Sequence, residues 1–303
     1  MEHKYASDCH SHSNCSPDGE HSPGAMAERA RELGLYAYTL TDHCECNEYE
    51  GKYRERQAIA WAEMEKLSVP KGLVFLKGIE LGQATQNPEG AREAVEKYPY
   101  DFVIGSLHNL RGKEDFYYMD CREKPREEID GLLDAYWDEL LEMIELGGFD
   151  SLGHLTYPLR YIQGEQGVIV DLERHYEKID GVFKSLMEHK KALEVNSSSF
   201  FNGLGETMPG PGLLRRYYEL GGRLLTFGSA KLTPKQLSVM LGEEEGAVES
   251  AIKQYEREGV IKGYHTLVNW ERTETQKAAA LIELRVSPQK DTGFDEIAGR
   301  IMN

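Results

Sequence analysis

The chain has 303 residues, of which 40% are hydrophobic, and its 35 basic and 52 acidic residues give a formal charge of −17. Nucleic-acid phosphates are bound mainly by Lys and Arg, so this charge counts against a general nucleic-acid binder. No stretch approaches the roughly 18 consecutive apolar residues of a membrane span, and the N-terminus lacks the apolar core of a signal peptide, so we expect a cytoplasmic protein without a membrane partner.

Predicted strands and helices alternate through the first 228 residues. The predicted strands are Leu35–Leu40, Leu73–Leu76, Phe102–Ile104, Ser151–Leu152, Ala192–Val195 and Leu224–Phe227. The predicted helices are Pro23–Leu33, Lys52–Leu67, Arg126–Leu146 and Leu172–His189. This repetition predicts parallel strands with helical crossovers, either as an open α/β sheet or as a barrel.

Polar clusters follow most of these strands, and their distribution favours the barrel. They read "TLTDH", "KGIEL", "IGSLH", "LGHL" and "EVNSS" in chain order. The carboxyl ends of parallel strands in α/β folds converge on one face, which is where active sites lie. The sequence therefore predicts a polar site at one end of the barrel.

A histidine pair stands in the segment "SDCHSHSNCSPDGEHS" near the N-terminus. His10 and His12 are two residues apart in an extended segment, so both project to the same side, and Asp8 is placed to orient them. A single pair of this kind is as readily a polar loop of exposed histidines. Cys44 and Cys46 are a weaker metal candidate, because the five cysteines offer no second thiolate pair and favour free thiols.

Further candidate ligands accompany the pair at the other predicted strand ends. They are Asp18, Asp42, His43, Glu80, His108 and His154. A mixed set of imidazoles and carboxylates suits zinc, manganese or iron, and it exceeds what one ion takes. Clustered divalent ions generate a hydroxide and clamp phosphoryl oxygens, so hydrolysis of a phosphate ester fits this set.

The motifs "DCHSHS", "TDH", "GIE", "SLH" and "GH" resemble those of the polymerase and histidinol phosphatase (PHP) superfamily. The longer segments "DCHSHSNCSPDG", "TDHCE" and "MPGPGLLRRYYELGGRLLTFGS" are similar to its histidinol-phosphatase branch. The resemblance runs from about residue 7 to residue 229. It implies a distorted seven-stranded (β/α) barrel with a three-metal site that converts L-histidinol phosphate to histidinol and phosphate.

The same resemblance implies roles for individual residues. His10, His12 and Glu80 would hold a first metal, Glu80, His108 and His154 a second, and Asp18 and His43 a third. Asp8, Asp42 and His43 are the candidate catalytic residues. Arg160 is the candidate for the substrate phosphate, with Arg111 a weaker one, although each arginine alone is as readily a solvated surface charge.

The chain departs from the family pattern after Ser229. Family members end the seventh strand with G-S-D-A-H, whose Asp and His complete the first and third metal shells, but here "AKLTPK" follows Gly228 and Ser229. A closing helix expected next is replaced as well. We therefore expect two to three divalent metals in a phosphatase domain over residues 1–229, with impaired activity.

From Leu232 onward the chain resembles the Lrp/AsnC transcription regulators. Residues 230–270 are similar to part of a winged helix-turn-helix, and residues 271–303 to a truncated α+β effector-binding domain. Two truncations that meet in frame suggest a gene fusion or an assembly artefact. The alternatives are a DNA-binding regulator with the barrel as its sensor, which the acidic balance opposes, and an inactive metal-binding product. The sequence indicates no oligomeric state.

Overall fold

The computed structural model of the chain describes residues 7–201 and 203–228. Within these ranges, eight strands pair in parallel. They are β1 (Ser7–Asp8), β2 (Ala37–Leu40), β3 (His43–Glu45), β4 (Val74–Gly82), β5 (Phe102–Ser106), β6 (Ser151–Leu152), β7 (Ala192–Asn196) and β8 (Leu225–Gly228). Seven of them follow the order β1-β2-β4-β5-β6-β7-β8, and β3 pairs with β4 beside this path.

The first and last strands of this path meet. The amide of Cys9, directly after β1, donates to the carbonyl of Phe227 in β8 over 2.8 Å. This bond brings the two edges of the sheet together, and the result is a nearly closed parallel barrel. The predicted seven-stranded α/β barrel is therefore confirmed. The predictions for residues 230–303, and for the missing closing segment, fall outside the described residues.

Seven helices lie in the described ranges. They are α1 (Pro23–Glu32), α2 (Arg54–Glu65), α3 (Pro88–Lys97), α4 (Arg126–Leu146), α5 (Tyr157–Leu159), α6 (Tyr176–Glu188) and α7 (Pro211–Glu219). Side-chain caps begin two of them: Ser22 accepts from the amide of Ala25, and Asn87 accepts from that of Gly90. Each of these caps precedes a proline, which suits the first turn of a helix.

The main core lies under α4, which packs against α6. Tyr136, Trp137 and Leu140 of α4 are fully buried, as are Val182 and Phe183 of α6. Burial of these large apolar side chains excludes water from the outer layer of the barrel and so stabilises the fold. None of the described helices combines the length and apolar character that a bilayer span requires.

The structure corrects several predicted elements. The helix predicted from Lys52 begins as a π-helical turn over Tyr49–Tyr53 before α2, and the one predicted from Leu172 begins as a 3₁₀ turn before α6. The strand predicted to end at Leu76 is β4, which continues to Gly82 and so carries Glu80. The predicted elements did not include β3, α3, α5 or α7.

Candidate metal centre

The candidate ligands lie at the carboxyl ends of the barrel strands. His10 and His12 follow β1, His43 begins β3, and Glu80 lies near the end of β4. His108 follows the end of β5 by two residues, and His154 follows the end of β6 by two. Register brings two of them side by side, since His43 of β3 is the direct partner of Glu80 in β4. The structure thus brings together, at one end of the barrel, side chains that are far apart in the chain.

Glu80 is the centre of this arrangement and is fully buried. Its Oε1 faces three imidazole nitrogens: Nε2 of His10 at 3.4 Å, Nε2 of His108 at 3.3 Å and Nε2 of His154 at 2.9 Å. Its Oε2 faces Nε2 of His12 at 3.7 Å and Nδ1 of His43 at 2.8 Å. One carboxylate therefore separates two groups of histidines, which is the geometry of a bridging ligand.

Asp18 extends the second group toward solvent. Its Oδ1 lies 3.5 Å from His43 Nε2 and 3.9 Å from His12 Nδ1, and the rings of His12 and His43 stack with centroids 4.3 Å apart. Three sets of ligand atoms are close enough to hold one ion each, and they are His10–Glu80–His154, His12–Asp18–His43 and His43–Glu45–His108. The structure thus groups His10 with His154 and His12 with Asp18, whereas the resemblance implied one metal shared by His10 and His12.

Two carboxylates of the centre were not predicted. Glu194 in β7 is fully buried, and its Oε1 lies 2.8 Å from Nδ1 of His10. Glu45 in β3 lies 3.1 Å from Nδ1 of His108 and 2.9 Å from Nδ1 of His43. Each carried a signal in the sequence: Glu194 belongs to the strand-end cluster "EVNSS", and Glu45 stands two residues after His43, on the same side of an extended strand.

The charges of the centre depend on one another. Burial alone would lower the pKa of His10, but Glu194 and Glu80 raise it well above its ordinary value. The same competition raises the pKa of His108 to about 10, with Glu45 and Glu80 as the opposing carboxylates. Burial and the neighbouring His43 lower the pKa of His12 to about 3. The described side chains therefore form a mixed set of protonated and neutral imidazoles around ionised carboxylates.

Several buried polar atoms here have no hydrogen-bond partner among the described residues. They are Nδ1 of His12, Oε2 of Glu45 and Nδ1 of His154, together with Nδ1 of His43 and Oε2 of Glu80, which lie 2.8 Å apart but not in hydrogen-bonding geometry. Unpaired buried polar groups are costly, and a bound cation would satisfy the lone pairs among them. Imidazole and carboxylate donors are those that zinc, manganese and iron accept in proteins. The residues present therefore fit divalent metal ions.

Asp8 and Asp42 hold the histidine loop in place. Asp8 accepts from the amide of His10 over 3.1 Å. Asp42 accepts from the amide and hydroxyl of Ser13, both over 2.7 Å, and from the hydroxyl of Ser16 over 2.8 Å. These bonds fix the loop that carries His10 and His12. The catalytic roles assigned to Asp8, Asp42 and His43 from the sequence stay predictions.

The two candidate phosphate-binding arginines differ in how far their donors are used. Arg160 donates to the hydroxyl of Ser198 over 3.3 Å, and its buried Nε has no partner. Arg111 donates to both carboxylate oxygens of Glu142 and to the carbonyl of Thr85. A guanidinium that already pairs with a carboxylate has fewer donors left for an anion, so the geometry favours Arg160 over Arg111.

Residues 8–198 match the PHP domain family. The chain belongs to this family. A probable histidinol-phosphatase from Thermotoga maritima is 28% identical over 222 residues, which are 73% of this chain and 82% of that protein. This relative carries the name of an enzyme, and the chain is an enzyme as well.

Solved structures share the fold. A candidate histidinol phosphatase from Listeria monocytogenes gives a TM-score of 0.60 at 18% identity, over 74% of this chain and 94% of that one. The histidinol phosphate phosphatase of Lactococcus lactis was solved in complex with zinc, L-histidinol and phosphate. It gives a TM-score of 0.55 at 22% identity, over 81% of this chain and 93% of that one. Both support the barrel architecture.

A shorter match is to a transcriptional regulator and not to a phosphatase. An uncharacterized HTH-type transcriptional regulator from Bacillus subtilis is 32% identical over 66 residues, which are 22% of this chain and 40% of that protein. This share is too small to assign a second family. The resemblance to Lrp/AsnC regulators therefore stays a prediction.

Proposed function

We propose that the chain is a divalent-metal-dependent phosphatase that hydrolyses L-histidinol phosphate to L-histidinol and phosphate. The observation that carries the proposal is the buried carboxylate of Glu80, which lies between two groups of histidines at the carboxyl end of the barrel. Relatives named as histidinol-phosphatases support the choice of substrate, as does the Lactococcus lactis structure with its zinc, L-histidinol and phosphate.

Each group of histidines has a role in this proposal. His10, His108 and His154 would hold metal on the Oε1 side of Glu80. On the Oε2 side, metal would be held by His12, His43 and Asp18. When bound, divalent metals supply a hydroxide at neutral pH and neutralise the developing charge on the phosphoryl oxygens. The carboxylate of Glu80 faces both groups of ligands and so fixes the distance between them. The barrel strands therefore fix the ligands before substrate arrives, and little reorganisation is needed during the reaction.

Arg160 is proposed to bind the phosphate of the substrate. Its Nη1 is already held by Ser198, so the guanidinium is oriented, and its buried Nε remains available as a donor. The ring of Tyr157 lies 4.8 Å from that of His108, which places the turn before Arg160 against the histidines of the centre. A planar guanidinium with several donors matches a phosphate group well.

The proposed activity is lower than that of an intact relative. The resemblance implies an Asp at the first position after Ser229 and a His at the third, and this chain has Ala230 and Leu232 there instead. The Oε2 side, with His12, Asp18 and His43, then lacks one expected histidine, and the Oε1 side lacks one expected carboxylate. Loss of a metal that stabilises the transition state slows phosphoryl transfer by orders of magnitude.

Phosphate release from histidinol phosphate tests this proposal. The chain is loaded with zinc or manganese and compared with itself after chelation and with a graft that restores Asp-Ala-His and a closing helix after Ser229. We expect turnover that needs metal and rises about 100-fold or more in the graft. An unmodified chain as fast as the graft would contradict the impairment. A metal-loaded graft without turnover would contradict the substrate.

A second candidate function, DNA binding, is favoured by the 66-residue likeness to an HTH-type regulator. The charge opposes it, because five basic residues stand against six acidic ones from Lys231 to Lys262. A gel shift with non-specific duplex DNA across a salt series separates the two functions. We expect no shifted band at low salt, and a salt-sensitive complex would support the regulator.

A further inference from the structure

Two carboxylates, the fully buried Glu194 and the partly buried Glu45, contact histidines of the centre on the ring nitrogen that points away from Glu80. Oε1 of Glu194 lies 2.8 Å from Nδ1 of His10, and Oε1 of Glu45 lies 3.1 Å from Nδ1 of His108. In both histidines the other ring nitrogen, Nε2, faces Oε1 of Glu80. Each imidazole therefore stands between an outer carboxylate and the bridging one.

Both outer carboxylates occupy spaces that a glycine leaves open. A Cβ atom on Gly228 would lie 1.9 Å from Oε1 of Glu194, and one on Gly82 would lie 2.0 Å from Oε2 of Glu45. Gly82 is also the direct strand partner of Glu45. Any larger residue at either position would push the carboxylate off its histidine, so the backbone is shaped to seat these two groups.

Glu194 is anchored further by its neighbours. Its Oε2 accepts from the amide of His154 over 2.6 Å, and its Oε1 also accepts from Nδ2 of Asn196 over 3.1 Å. The carboxylate is thus fixed by three partners from three parts of the barrel. A group held this firmly can set the orientation of the ring it contacts.

We propose that Glu194 and Glu45 are positioning residues that accept the Nδ1 protons of His10 and His108 and thereby present Nε2 of both rings to the metal beside Glu80. A neutral imidazole carries one proton and one lone pair, so a proton held on Nδ1 leaves the lone pair on Nε2. This inference rests on the metal centre of the proposed function, and it assigns two residues to which the sequence motifs gave no role.

Direct ligation by Glu45 is the competing possibility, because His43, Glu45 and His108 also form a compact set of ligand atoms. An ion there would use Nδ1 of His108, whose Nε2 already faces Glu80 and His154. His108 would then have to bind two ions as a fully deprotonated imidazolate. A hydrogen bond from Nδ1 to Glu45 requires no such loss, and it accounts for the 3.1 Å distance.

The tautomers can be observed in the unaltered, zinc-loaded chain. Long-range nitrogen–proton correlation spectra of protein labelled with ¹⁵N-histidine distinguish a protonated Nδ1 from a metal-bound one, and His10→Gln and His108→Gln identify the signals. We expect both rings to carry the proton on Nδ1 and to bind zinc through Nε2. Binding through Nδ1 in either ring would overturn the proposal for that ring. This measurement needs no variant of the two glutamates to fold.

Zinc affinity gives a second measurement. Glu194→Gln and Glu45→Gln are compared with Asp134→Asn. Asp134 lies on α4, and its carboxylate is 2.8 Å from Nδ1 of His175, outside the centre. We expect each glutamate variant to bind zinc about 10- to 100-fold more weakly in competition with a chromophoric chelator. The number of zinc ions at saturation should not change, and the control should match the original chain. Loss of one zinc equivalent would identify a direct ligand, and unchanged affinity would remove the positioning role.

Gly82→Ala tests the same idea without removing a charge. The added methyl group displaces the flexible end of Glu45, so zinc affinity should fall as it does in Glu45→Gln. An affinity equal to that of the original chain would contradict the positioning of His108 by Glu45. No substrate enters these measurements, so a chain that fails to hydrolyse histidinol phosphate can still pass or fail them.

Discussion

Glu80 keeps its charge although it is fully buried. Burial alone would raise its pKa, but His43, His10 and His108 hold that pKa well below the usual range of a glutamate. The histidines are stabilised as cations by the same contacts. Without metal, the centre is therefore a set of mutually dependent buried charges, and replacing one member leaves the others without compensation.

The stability of the metal-free chain should fall as the pH rises above 6.5. The pKa of His108 is raised from 6.5 to about 10 by Glu45 and Glu80 against the effect of burial. A raised pKa contributes stability that is complete below pH 6.5 and is lost progressively up to about pH 10. His10 and His43, whose pKa values are also raised, act in the same direction.

Urea unfolding of chelator-treated protein between pH 6.5 and about 7.5 measures this slope, below the pKa of about 8.5 at which ordinary thiols ionise. His108→Gln should show a shallower slope than the original chain. Stability that stays constant or rises with pH in the metal-free chain would contradict the charge states assigned to these histidines.

The sequence could predict those members of the centre whose spacing is distinctive. His10 and His12 alternate in an extended segment, and Asp42, His43, Glu80, His108 and His154 follow apolar strands. Glu45 and Glu194 stand in the segments "TDHCE" and "EVNSS" but were given no role, because a single glutamate on a strand is most often a solvated side chain. Their roles depend on registers such as Glu45 opposite Gly82, which no local pattern contains.

At the scale of the elements, apolar content decided what could be predicted. Six strands with apolar runs were found, whereas β3 reads His-Cys-Glu and has no such run. Helix α3 buries only small residues, Gly90, Ala91 and Ala94, and so lacks a stripe of large apolar side chains. In contrast, α4 was predicted with its observed bounds because its large residues recur at helical spacing.

Helix α4 should contribute strongly to stability through Trp137, which is fully buried. Trp137→Ala removes a large side chain from the buried face of α4 and should lower the free energy of unfolding by about 3–5 kcal/mol. Tyr118→Ala is the control, because that side chain is 72% exposed, and it should change stability by less than about 0.5 kcal/mol. Chemical unfolding of the two variants measures both. Similar losses in the two would contradict the placement of the core.

At the scale of the whole molecule, the negative charge belongs mostly to the barrel. Residues 1–229 carry 40 acidic and 25 basic residues, whereas residues 230–303 carry 12 and 10. The alternation of strands and helices predicted parallel strands with helical crossovers, and the polar clusters at the strand ends favoured a barrel over an open sheet. The meeting of β1 and β8 could not be read from the alternation, since it depends on the long-range bond between Cys9 and Phe227.

The metal content of the full chain tests the central claim most directly. The protein is reconstituted with zinc, freed of excess metal and measured by elemental analysis, beside Glu80→Gln and Glu139→Gln. Glu139 is the control, because its buried carboxylate accepts from Thr85 and contacts none of the histidines of the centre. We predict at least one zinc per chain, retained in Glu139→Gln and reduced in Glu80→Gln. Less than one zinc in the original chain, or equal content in all three proteins, would contradict a metal centre at Glu80.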